Sequence, residues 1–206
     1  WQIHSYEKDP TGYGIKAYET AKVIKYMDAT LETAVCGSSS PLLSHYPDWE
    51  RKALEECYPL MDYMSLHYYH WAPDGDIAGF LNGATLFENF LNTEISIADY
   101  VQAKYRDPKK MMISFDEYGV GFSPQMKVYH GRNGHIPLTS YGEFQEETTG
   151  RPFRYNDPKN VSERRPRFNE MMDALGLSSV LLCLLRHTDR VKIGCMTGGI
   201  RGAIAF

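Results

Sequence analysis

Met-Met-Ile-Ser-Phe-Asp-Glu-Tyr-Gly-Val-Gly-Phe, residues 111–122, reads as a strand that ends in a carboxylate. Ile113, Phe115 and Glu117 alternate with Met112, Ser114 and Asp116, which predicts Glu117 on one face with Phe115 and Ile113, and Asp116 on the other, toward the helices. The β-formers give way to turn residues at Tyr118-Gly119, so Glu117 is expected at the C-terminal lip of the strand. In a parallel α/β barrel that lip carries the chemistry. Taken alone, a lone carboxylate at a strand end is better read as a cap.

A second strand upstream changes that balance. Residues 63–70, Tyr-Met-Ser-Leu-His-Tyr-Tyr-His, put Ser65, His67 and Tyr69 on one face and Met64, Leu66, Tyr68 and His70 on the other. A partly buried carboxylate needs donors to stay ionised, because desolvation penalises its charge and hydrogen bonds to the charged form restore it. His67 and Tyr69 are the donors that this pattern offers to Glu117.

The rest of the chain alternates in the same way. Ala17, Ala21, Ile24 and Met27 recur at helical spacing and predict a helix over 13–28, with Lys16, Glu19, Lys22 and Lys25 as its solvated face and Asp9-Pro10-Thr11-Gly12 as a preceding turn. A short buried strand over 33–37 follows, then a polar loop from Ser38, and then a helix over 47–58 with Trp49, Ala53 and Cys57 on one side. Beyond His70 lies a turn-rich loop whose Trp71 is either a hydrophobic plug between loop and barrel or an aromatic platform at the mouth of the site. Phe87, Phe90, Leu91, Ala98 and Val101 mark a long helix that ends before Asp107-Pro108. Residues 123–167 are polar, rich in Gly, Pro, Arg and Glu, and predict a long loop over the active-site face. A strongly apolar helix over 168–187, with Met172, Leu175, Ser179, Leu182 and Leu185 along it, is expected to be buried on most sides. Helix, strand and polar loop in turn are the rhythm of a parallel sheet.

Composition narrows the function classes. A net charge of −4, with no long basic run, argues against a nucleic-acid partner. No apolar stretch approaches the roughly 18 residues of a membrane span. The four cysteines, Cys36, Cys57, Cys183 and Cys195, are widely spaced and predict reduced thiols, not a zinc or disulfide framework. No metal or organic cofactor is expected, since no ligand cluster is legible in the spacing. At 206 residues and 43% hydrophobic, the chain can form one domain with a sizeable core, yet it is short of the roughly 250 residues typical of a whole barrel.

At these residues the sequence resembles the family-51 glycoside hydrolases, the α-L-arabinofuranosidases. The matching segments are Ala34-Val35-Cys36-Gly37-Ser38-Ser39, Asp62-Tyr63-Met64-Ser65-Leu66-His67-Tyr68-Tyr69, Ile97-Ala98-Asp99-Tyr100-Val101, Ser114-Phe115-Asp116-Glu117 and Asp189-Arg190-Val191-Lys192-Ile193-Gly194-Cys195, in the family's order. The resemblance implies an α/β fold, the (β/α)8 TIM barrel of the retaining glycosidase clan, here an incomplete barrel covering roughly strands 5 to 8 within one domain over 1–206. It implies Glu117 as nucleophile at the seventh strand, with His67 and Tyr69 on the sixth strand lining the sugar subsite and Trp71 near its mouth. It further implies an arabinose-containing glycan as substrate, a homo-oligomer and a cytoplasmic setting. The family's Asn-Glu acid/base motif is not in this sequence, and the Trp1-Gln2 opening places it just upstream; on that basis residues 202–206 are expected within the eighth strand and the 206 residues alone are expected to be nearly inactive.

Two departures bear on the pocket. The family's Trp-Asn-Val-Trp after the nucleophile is Tyr118-Gly119-Val120-Gly121 here, and its sugar-touching glutamine aligns with Gly198. Both remove contacts and leave the nucleophile in place. Competing readings are another retaining glycosidase of the clan, such as a β-xylosidase or endoglucanase, and a non-catalytic carbohydrate-binding barrel.

Overall fold

Helix and strand alternate along the chain. The computed structural model describes residues 9–43, 45–72, 77–122 and 171–196, without the side chains of residues 71, 72, 121 and 122. The order is α1 (Pro10–Met27), β1 (Ala34–Cys36), α2 (Asp48–Cys57) with a 3-10 turn (Tyr58–Leu60), β2 (Tyr63–Ala72), α3 (Ile77–Leu81), α4 (Gly83–Tyr105), β3 (Met112–Phe122), α5 (Met171–Arg186) and β4 (Val191–Met196). The four strands form one sheet in chain order, every neighbouring pair parallel. The predicted one-domain extent and the loop over 123–167 lie in part or wholly outside the described residues, as does 202–206. The strand paired with β3 is Val191–Met196.

Several elements start or stop elsewhere than the pattern predicts. The turn-like Asp9-Pro10-Thr11-Gly12 is the beginning of α1: the Asp9 carboxylate accepts from the backbone N–H of Thr11 at 2.8 Å and of Gly12 at 3.0 Å, and Pro10 takes the first position. Aspartate as cap and proline just inside the helix satisfy or remove amides that have no intrahelical partner. Lys25 leaves the solvated face of α1 to reach Asp62 at 2.7 Å. The long strands also run on past their expected ends, to Ala72 and Phe122, because Tyr68 to Ala72 pair in register with Tyr118 to Phe122. Tyr118-Gly119 is therefore strand and not turn; the parallel ladder supplies the backbone partners that local sequence preference does not.

The core lies between the sheet and the helices. Met64, Leu66 and Tyr68 of β2 and Ile113, Phe115 and Tyr118 of β3 are buried together with Phe87, Phe90, Leu91 and Ala98 of α4, Leu54 and Cys57 of α2, and Val180, Cys183 and Leu184 of α5. Phe87 packs against Phe115 at 4.7 Å and edge-on against Tyr68 at 4.8 Å between ring centroids. Ile113 and Phe115 thus face the helices, the side opposite to Glu117, which corrects the alternation drawn from the sequence. The expected burial of α5 is also corrected. Its buried residues are Gly176, Val180, Cys183 and Leu184, while Met171, Leu175, Leu182 and Leu185 are exposed apolar residues spaced four, seven and three apart.

The N-terminal ends of the strands are tied by charged side chains that grip backbone. Lys109 Nζ donates to the carbonyls of Tyr58, Pro59 and Met61, and the Tyr58 hydroxyl donates to the Lys109 carbonyl while accepting from Met111 N–H. The buried Arg190 donates to the Met111 carbonyl and pairs with Asp99 of α4 at 2.8 Å. Asp62 belongs to this end too, held by Lys25 and by the Thr33 N–H. In parallel barrels such features at the lower rim read as stability, and the chemistry belongs to the other rim.

Candidate active site

The site is built by a flaw in the ladder. Along β2 and β3, Ser65 faces Ser114 and Leu66 faces Phe115, but the next pair is His67 with Glu117, so Asp116 is an extra residue. The β3–β4 pairing skips a residue in the same place, between Phe115 and Tyr118. A bulge of this kind leaves one residue unpaired and re-aims the side chains that follow it. Here it turns Glu117 away from the helix-facing Ile113 and Phe115 and toward His67 and Tyr69. It also keeps Asp116 off the helix side, contrary to the sequence expectation: the Ser65 hydroxyl lies 2.8 and 2.9 Å from its two oxygens, on the face opposite to the core.

The side chains meet closely. The Tyr69 hydroxyl donates to Glu117 Oε1 at 2.7 Å, and His67 Nδ1 lies 2.9 Å from Glu117 Oε2. His67 Nε2 lies 3.6 Å from Asp116 Oδ1, so the imidazole stands between the two carboxylates. His67 is largely buried, with 13% of its side chain exposed, while Glu117 at 38% is open on one side. One carboxylate is thus gripped on both oxygens and still accessible. Trp71 closes β2 and its side chain lies outside the described residues, as do residues 197–200 with Gly198.

β1 borders the site with Cys36, whose N–H donates to the Tyr13 hydroxyl at 2.8 Å and whose carbonyl accepts from the Trp49 indole at 3.1 Å. Burial raises the Cys36 thiol to about 11, and the charge of Asp116 acts in the same direction. A thiol so disposed is protonated near neutrality and is no nucleophile. On the helix side of β2, burial lowers His70, which stays neutral in contact with the Gly79 carbonyl and the rings of Tyr68 and Phe80.

Sequence spacing shows no metal-ligand cluster, yet the fold assembles one group of suitable type. Glu88 of α4 and Cys183 and His187, at and just beyond the end of α5, bring ligand atoms within 4.8 Å of one another. The Arg186 guanidinium already pairs with Glu88 at 3.1 Å, and His187 with its other oxygen at 3.3 Å. We read this group as an ion-pair network that clamps two helices.

Asp116 and Glu117 are the residues whose faces the alternation did not reveal. The signal was present: apolar residues fall at 113 and 115 and resume at 118 and 120, a step of three that period-two alternation cannot make without an extra residue.

A parallel sheet in chain order with helices over one face, carrying a gripped carboxylate on the other, is the α/β arrangement of a partial (β/α)8 barrel. Over nearly its whole length the chain resembles the family-51 α-L-arabinofuranosidases. It is 35% identical over 196 residues, 95% of the chain, to an intracellular exo-α-(1→5)-L-arabinofuranosidase of Halalkalibacterium halodurans, and 34% identical over the same share to a Bacillus subtilis protein described in the same terms. The chain spans about a third of the length of these relatives, 34% in both cases. The fold matches a family 51 α-L-arabinofuranosidase from Bifidobacterium longum with a TM-score of 0.69 at 21% identity, covering 92% of this chain and 36% of that one. An α-L-arabinofuranosidase from Thermotoga maritima matches with a TM-score of 0.58 at 16% identity, over 92% and 30% of the two chains. No family model matches the sequence.

Proposed function

We propose that the chain is the nucleophile-bearing part of a retaining α-L-arabinofuranosidase that removes arabinofuranosyl residues from arabinose-containing polysaccharides or oligosaccharides. The observation that carries this is the geometry of Glu117, a carboxylate open to one side and held at 2.7 and 2.9 Å by Tyr69 and His67. Donors on both oxygens fix its direction, which is what an attacking carboxylate requires. In the first step a Glu117 oxygen bonds to the anomeric carbon as the bond to the leaving oxygen breaks, and a general acid protonates that oxygen. In the second, water deprotonated by the same group attacks the anomeric carbon, and Glu117 leaves as carboxylate. Tyr69 and His67 hold the nucleophile and line the sugar subsite, and Trp71 is assigned to its mouth.

Two carboxyl groups of a retaining enzyme stand roughly 5 Å apart across the sugar. The four strands carry only Asp116 and Glu117, and Asp116 is engaged by Ser65 and His67. We therefore assign the general acid to a part of the enzyme outside this chain, and expect the 206 residues alone to turn over poorly. The relatives' printed names support an intracellular setting, as do the four free cysteines. A homo-oligomer is also part of the proposal. The exposed stripe of Met171, Leu175, Leu182 and Leu185 supports burial of α5 against further protein, and light scattering on the full-length protein tests whether that protein is a second subunit.

The test is covalent labelling. Full-length protein treated with a mechanism-based arabinofuranosyl inactivator is expected to gain one adduct, mapped to the peptide that contains Glu117. A folded protein that takes no adduct, or takes it elsewhere, sinks the assignment.

A further inference from the structure

We infer that Asp116 is a positioning residue for the nucleophile and acts through His67; the inference rests on the reading of Glu117 just given. The bulge makes this arrangement. Regular pairing would send adjacent residues to opposite faces, and here both carboxylates lie on the side of Ser65, His67 and Tyr69. Among the described residues the polar contacts of Asp116 are the Ser65 hydroxyl, at 2.8 and 2.9 Å from its two oxygens, and His67 Nε2 at 3.6 Å. Both contacts are side chains of β2. Asp116 is therefore oriented toward the neighbouring strand, with Ser65 as the anchor.

His67 is the shared element. Its Nδ1 meets Glu117 at 2.9 Å while Nε2 faces Asp116, and the ring can offer N–H to both carboxylates only when both nitrogens carry hydrogen. The 3.6 Å separation is longer than a direct hydrogen bond, so the coupling is electrostatic or passes through a bridging water. Either way the Asp116 charge fixes which edge of the imidazole turns toward Glu117. A ring free to rotate about its terminal torsion, which is broad and roughly two-fold, would present Nδ1 to the nucleophile only part of the time. Ser65, Asp116, His67 and Glu117 thus form one line of contact across the bulge, with the proposed nucleophile as its last member.

The experiment uses the full-length enzyme and the same inactivator, read as kinact and KI separately. Asp116→Asn is expected to lower kinact on the order of 10–100-fold, the cost of a slightly misplaced reacting group, with KI within about twofold. Made in a His67→Gln background it is expected to add almost nothing, because the two residues act in series. A folded Ser65→Ala variant, which keeps the Asp116 charge and loses its anchor, is expected to show a smaller loss in kinact alone. An Asp116→Asn effect confined to KI, an effect that multiplies with that of His67→Gln, or unchanged kinact in folded Asp116→Asn and Ser65→Ala would overturn the inference. Failure of the wild type to label at Glu117 overturns the reading beneath it instead, so the two failures are told apart.

Discussion

Glu117 shows how two donors can define a carboxylate that an alternating pattern places on the wrong face. Tyr69 is the shorter contact, and a hydrogen bond to a charged group contributes about 1.5–3 kcal/mol. Tyr69→Phe removes it without changing the ring. We expect the rate of glycosyl-enzyme formation to fall about 10–100-fold in the full-length enzyme, measured by pre-steady-state kinetics, with the unfolding midpoint nearly unchanged because Tyr69 is exposed. An equal rate in the variant would mean that Tyr69 contacts the nucleophile without serving it. The same scale explains why Glu117, His67 and Tyr69 were legible in the sequence and the place of Asp116 was not. Each of the first three sits on a strand whose residue types announce it, whereas the faces taken by Asp116 and by Glu117 itself depend on one inserted residue in the pairing of two strands.

At the scale of elements, close approach decides what packs. Gly14 lies in α1 against α2, and a Cβ built there would stand 2.5 Å from the Ala53 carbonyl and 2.8 Å from Glu56 Cβ. The obstacle is backbone and cannot swing aside. Alanine has the higher helix propensity by about 1 kcal/mol, yet overpacking of this sort costs about 1–3 kcal/mol, so the steric term wins. Gly14→Ala is expected to lower stability by about 1 kcal/mol or more in denaturant titration; a stabilised variant would show that α1 can shift outward freely. Periodicity found α1, α2 and α4 because each carries an apolar face, but it took the capped start of α1 for a turn and expected α5 to be buried on most sides. A helix that is apolar on most sides does not say which side the sheet will claim.

At the scale of the whole molecule, two packed helices each bury a glutamate. Glu50 of α2 and Glu94 of α4 are 1% and 0% exposed. Burial raises Glu50 to about 7, partly offset by the Ser38 hydroxyl, and burial together with the Glu50 charge raises Glu94 well above the ordinary carboxylate range. A group that holds its proton more tightly when folded stabilises the fold most at low pH. The folded state binds more protons than the unfolded one between about 4.5 and 7, so stability falls as pH rises through that window and stays lower above it. Glu50→Gln removes the titration of Glu50 and the charge that helps to raise Glu94. The variant is expected to gain on the order of 2 kcal/mol relative to wild type at pH 8 and little at pH 4.5, read from thermal melts across pH. Parallel losses in both proteins would rule Glu50 out as the source.

By itself the sequence determined the local alternation of helix and strand, the residues on the two central strands able to hold a nucleophile, and the family likeness that follows from them. These depend on side-chain type and spacing within a few residues, which the chain carries wherever it folds. Tertiary structure alone decided the register of β2 against β3. That register contains the bulge, and the bulge turns Glu117 to His67 and Tyr69, brings Asp116 to the same face, and leaves Ile113 and Phe115 to the core. Pairing register is a property of two strands about fifty residues apart, fixed by how their apolar sets fit one layer of helices, and no single strand holds the information.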